Sequence, residues 1–111
     1  MKPDWAKQMS DREIDMRIDL AAAHRMAVIH GFSEGIFNHL TALVPGKPDR
    51  FLVIPFGMHW SEAQASTLLE SDFERNVTAG VGKVESSAYY IHVPIHQARQ
   101  DAPCVFHTHM P

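Results

Sequence analysis

Apolar positions along the chain fall into two helical stripes separated by short strand-like runs. Ile14, Ile18, Ala22, Met26 and Ile29 recur every three to four residues, the period of one helix face. Arg12, Asp15, Asp19 and Arg25 fall off that stripe. Ser10-Asp11-Arg12-Glu13 has the S-x-x-E form of a capping box, and Gly31 follows the last apolar position, so the pattern predicts a helix over 11–30. Leu40, Ala42 and Val44 alternate with Phe37, His39 and Thr41, which predicts a strand over 37–44. Pro45 to Asp49 reads as a turn, and 51–54 as a strand pairing back on the first. Residues 67–73 predict a third strand, closed by a turn over 72–76. A second helix starts at Ser86-Ser87, with Ala88, Ile91, Ile95 and Ala98 on its buried face and Pro94 kinking it. Residues 104–109 predict a last strand, which makes the whole a mixed α/β domain behind a polar arm over 1–9.

Composition narrows the function. The chain has 111 residues, 45% of them hydrophobic and 21% charged, with a net charge of −3, an ordinary globular balance. Its Lys and Arg are scattered, which gives no footprint for nucleic acid or an anionic membrane, and no apolar run reaches the ~18 residues of a membrane span. One cysteine, Cys104, is expected to pack in its strand, and a lone cysteine points to a reducing cytoplasmic setting. Histidine is the unusual residue, eight in all, with His92, His96, His107 and His109 in the last twenty positions. In a strand His107 and His109 share a face, and such a pair reads equally as metal ligands or as surface histidines. One cysteine cannot supply a Cys-rich cage, so a metal held there fits an open catalytic site better than a structural one. His92 and His96, at i and i+4, read as packing residues before ligands. Ser86 and Ser87 offer hydroxyls and free N–H groups at a helix start, suited to capping or to an anion.

Five segments in order carry a family resemblance: Leu20-Ala21-Ala22-Ala23-His24-Arg25, Gly35-Ile36-Phe37-Asn38-His39-Leu40-Thr41, Ile54-Pro55-Phe56-Gly57, Glu85-Ser86-Ser87-Ala88 and Val105-Phe106-His107-Thr108-His109. From about Leu20 onward the chain resembles the class II aldolase/adducin family. That family includes sugar-phosphate aldolases, an epimerase, decarboxylases and the head domain of adducin. The resemblance implies a three-layer α/β/α fold, its central sheet mostly antiparallel and flanked by helices, here truncated: residues 10–111 form the N-terminal part of one domain. It implies His107 and His109 as metal ligands, most simply for Zn²⁺, with a third histidine beyond Pro111. It implies a small-molecule substrate held at Asn38, His39, Gly57, Ser86 and Ser87, and a homotetramer when full length.

Two departures shape the expected activity. The aldolases read Gly-Asn where this chain reads Asn38-His39, so a bulkier side chain replaces a glycine that lets an anion reach the backbone. They also carry an acid/base glutamate after the paired serines, where this chain has Ala88, and Glu85 lies about one turn away. With Ala88 in that place a conventional sugar-phosphate aldolase is not expected; the expectation is a metal-dependent lyase acting on a small hydroxy-carbonyl or hydroxy-acid compound, by C–C cleavage or decarboxylation through a metal-stabilised enolate. His92 is the expected proton donor. The alternative is an adducin-like interaction module that has lost the chemistry.

Overall fold

A computed structural model describes residues 2–31 and 39–107, without the side chain of His107; Asn38 and His109 lie outside the described residues. The first helix, α1, spans Asp11–Ile29 and starts as its capping signal predicts, with Ser10 accepting a hydrogen bond from the Glu13 N–H. The reciprocal half of the box is not made. Glu13 turns inward instead and pairs with Arg17, both side chains buried, at 3.2 Å. The Arg17 guanidinium also donates to the carbonyls of Ala65 and Leu68, so one buried charge ties the helix to the segment leading into a strand.

This pin rotates α1 relative to the predicted stripe. Its buried residues are Glu13, Arg17, Leu20, Ala21, His24 and Ala27, one position round from Ile14, Ile18, Ala22, Met26 and Ile29. Ile18, Met26 and Ile29 are 51%, 56% and 79% exposed. Hydrophobic period found the helix but chose the wrong face, because polar residues with paired partners occupy the inner one.

Five strands follow: β1 His39–Val44, β2 Lys47–Val53, β3 Leu69–Asp72, β4 Val77–Ala79 and β5 Cys104–His107. They form one sheet in the order β4-β3-β2-β1-β5, with every neighbouring pair antiparallel. The β1–β2 turn is tighter than predicted, because Gly46 at φ +82° lets β2 begin at Lys47. Strand β4 was not predicted, since three residues are too few to show a period. It is set by the turn before it, where the Asp72 carboxylate accepts the N–H groups of Glu74 and Asn76.

The sheet is covered on both faces. Leu40, Ala42, Val44, Leu52 and Ile54 pack with Leu20, Ala21 and Ala27 of α1 and with Trp60 and Leu68. Phe51, Val53 and Leu69 pack on the other side against Tyr89 and Val93 of the second helix, α2, which spans Ser86–Ala98. The architecture is therefore α/β/α in three layers, as expected. Strand β1 is buried along its whole length, which explains why its alternation mixes apolar residues with His39 and Thr41.

Helix α2 is also turned from its predicted face. It buries Ala88, Tyr89, His92, Val93 and His96, while Ile95 and Ala98 are exposed. Pro94 sits inside the helix without ending it. Cys104 is exposed on the edge strand, against the expectation that it packs. No helix among the described residues is long and apolar enough to cross a membrane.

Candidate functional site

The start of α2 builds the polar part of the site. Glu85, not Ser86 or Ser87, is the N-cap residue, and its side chain accepts the Ser87 N–H. The Ser87 hydroxyl donates to the same Glu85 oxygen, Oε2. His39, at the first position of β1, brings Nε2 to 2.9 Å from that oxygen and to 3.2 Å from Ser87 Oγ. Burial works to raise the Glu85 pKa, but the hydrogen bonds from Ser87 and His39 outweigh it and hold the carboxyl below its usual range. Glu85 is therefore a carboxylate at neutral pH.

These two groups border a partly enclosed cleft lined mainly by apolar residues, with Gly57, Trp60 and Ala88 among them. The loop carrying Gly57 is tied in place by the Phe56 N–H, which donates to the Lys83 carbonyl at 2.7 Å. Gly57 has φ +87°, so glycine is needed there for backbone conformation; the space where its Cβ would stand is open. Gly80 is required for a different reason, since a Cβ there would meet Leu69 Cδ2 at 2.8 Å.

A second polar layer lies behind the cleft. His92 Nδ1 and His96 Nε2 both meet Thr41 Oγ1, at 2.7 and 2.8 Å, and both rings are 0% exposed. His92 packs edge-on against His39, with ring centroids 5.5 Å apart. His96 stacks on Phe51 and Phe73, and burial drives its pKa down to about 4, so it is neutral. Thr41 has one hydroxyl proton and no other hydrogen-bond partner among the described residues, so it donates to one ring and accepts from the other.

The structure thus brings His39, Gly57 and Ser87 of the expected substrate residues to the cleft or its polar rim. Ser86 is exposed at the first turn of α2, and Asn38 lies outside the described residues. His92 does not border the cleft: it stands one ring behind it, against His39. His107 pairs with His39 across the β1–β5 ladder, while its side chain and His109 lie outside the described residues. Among the described residues no cluster of three metal-ligating side chains occurs. Glu85 is the residue the sequence undervalued. Its position just before two serines at a helix start was the available signal.

The sequence profile described as the Class II Aldolase and Adducin N-terminal domain matches residues 18–111. The chain belongs to this family. Among class II aldolase and adducin relatives, an adducin-related protein of Schizosaccharomyces pombe is 38% identical over 111 residues, covering 94% of this chain and 34% of its own length. An aldolase II superfamily protein from Pseudomonas syringae superposes with a TM-score of 0.91 at 33% identity, over 97% of this chain and 44% of that one. The L-fuculose 1-phosphate aldolase from Glaciozyma antarctica gives 0.85 at 28% identity, over 100% of this chain and 46% of that one. The chain therefore spans less than half the length of these relatives. The sheet and helices superpose on those of these two structures, and Ala88 lines the cleft beside Glu85.

Proposed function

We propose that the protein is a metal-dependent lyase acting on a small hydroxy-carbonyl or hydroxy-acid compound. One observation carries this reading: His39 and Glu85 face an otherwise apolar cleft, and His39 is the ladder partner of His107. Two imidazoles at 107 and 109, separated by one residue in the chain, are neutral nitrogen donors of the kind zinc accepts in an open site. When bound, the ion supplies Lewis-acid polarisation of the substrate carbonyl.

The protein's own groups do the rest. The apolar walls around Trp60 and Met58 exclude water and sharpen every charge within. The open backbone at Gly57 admits a polar substrate group. His39, fixed by Glu85 and Ser87, orients it, and His92 packs edge-on behind His39, so any proton it supplies passes through the His39 ring. Residues 10–111 form the N-terminal part of one domain, and the full-length protein assembles as a cytoplasmic homotetramer with zinc as its ion.

A second reading has one observation in its favour. Ala88 leaves the cleft without the expected glutamate, and an adducin-like interaction module needs none. Turnover decides between them. Full-length protein assayed across hydroxy-carbonyl and hydroxy-acid compounds is expected to cleave or decarboxylate at least one, with His107→Ala inactive. No turnover across both classes, together with capture of a specific protein partner, favours the interaction module.

A further inference from the structure

We propose that Thr41 is a positioning residue: with His96 behind it, its hydroxyl holds His92 in the tautomer that carries the proton on Nε2, and so fixes the ring that backs His39. The effect on turnover rests on the lyase reading above, while the place of the proton does not.

With each ring carrying one proton, two arrangements satisfy the bonds at Thr41, because a single hydroxyl proton serves contacts of 2.7 and 2.8 Å. In the first, His92 Nδ1–H donates to Thr41 and Thr41 donates to His96 Nε2. The proton of His96 then sits on Nδ1, buried against Phe51 and Phe73 with no hydrogen-bond partner among the described residues. In the second, His96 Nε2–H donates to Thr41 and Thr41 donates to His92 Nδ1. His96 Nδ1 is then a bare lone pair, and the proton of His92 sits on Nε2. A buried N–H without an acceptor is the rarer and costlier vacancy, so the second arrangement prevails. It leaves the proton on a ring that meets His39 edge-on, and an aromatic face accepts an N–H weakly.

His24 shows the same preference where no choice exists. Its Nδ1 lies 2.7 Å from the Leu20 carbonyl, which only accepts, so Nδ1 carries the proton. Its Nε2 is left as a buried lone pair with no hydrogen-bond partner among the described residues. The fold thus tolerates a bare imidazole lone pair in its interior. Burial keeps both His24 and His96 neutral, lowering each pKa to about 4.

The hydroxyl acts on the cleft through two rings. Thr41 lies within β1 and bonds His92 of α2, and His92 packs against His39, whose Nε2 meets Glu85 and Ser87 at the polar rim. Without the hydroxyl, both tautomers of His92 become accessible and the ring behind His39 is no longer held in one orientation.

Ring nitrogen-15 shifts separate a protonated nitrogen from a bare one, and they are read on the full-length protein without substrate. The expected wild-type pattern is His92 and His96 each protonated on Nε2, with Nδ1 bare in both. Thr41→Ser, which keeps the hydroxyl, retains that pattern and rescues turnover. Thr41→Val gives His92 a mixture of tautomers and lowers kcat ~10-fold or more with little change in KM. Where Thr41→Val fails to fold, His96→Phe serves. It keeps a ring beside Phe51 and Phe73 but removes the N–H that sets the direction at Thr41, and the same mixture is expected. A wild-type His92 protonated on Nδ1 overturns the proposal, as does an unchanged single tautomer in the folded Val or Phe variant. A changed tautomer with unchanged kcat overturns the positioning role and leaves the lyase reading standing. No turnover by the wild type overturns the lyase reading, and the tautomer pattern then decides this proposal alone.

Discussion

At the scale of residues, the fold spends its histidines unevenly. His24 and His96 are fully buried, and burial drives each pKa to about 4 from 6.5, against the opposing hydrogen bond to the Leu20 carbonyl in the case of His24. Their shifts have a definite sign in stability. Between about pH 6.5 and 4 the unfolded chain binds protons that the native protein refuses, so stability is complete above the unfolded pKa and falls as pH drops through that window. Each histidine contributes a loss of about 1.4 kcal/mol per pH unit there. Urea midpoints measured from pH 7.5 down to 4.5 are expected to be flat near neutrality and then to decline steadily; a flat profile throughout would place both rings in contact with solvent. The sequence showed His92 and His96 sharing a helix face but not their common partner. Thr41 is 51 and 55 residues away from them, and a pairing that distant leaves no local period.

Elements were legible at their ends and illegible in their orientation. Ser10 capped α1 where expected, and the strands expected over 37–44 and 104–109 appear as β1 and β5 over 39–44 and 104–107, the remaining positions lying outside the described residues. Both helix faces were misjudged because the buried polar residues are paired: Arg17 with Glu13 and two carbonyls, His92 and His96 with Thr41. A scan for apolar period has no means of seeing compensation between polar groups. The consequence for α1 is measurable. Arg17→Ala leaves the buried Glu13 carboxylate only the half-exposed Lys47 ammonium at 3.7 Å and frees two carbonyls, so it should cost about 2–4 kcal/mol in chemical denaturation. Arg12→Ala, on the exposed side of the same helix, should change stability by less than ~0.5 kcal/mol. Similar losses for the two would show that the pin does not set the face.

On the scale of the whole molecule, a sheet buried on both sides places the cleft where β1, the start of α2 and the loop through Gly57 meet. Five short segments of sequence were enough to name the family and the three-layer fold, and three of them supply residues of β1, the Gly57 loop and the start of α2. They were not enough to rank the site residues. Ala88 marked a missing proton carrier, yet only the N-cap geometry and the approach of His39 brought Glu85 into view. The proposed lyase needs a metal held by His107, at the end of β5, and by His109, and metal analysis of purified full-length protein tests this most directly. The expected result is about one equivalent of divalent metal per chain in the wild type and little or none in His107→Ala. Wild-type protein without metal, or His107→Ala retaining the full complement, would contradict it.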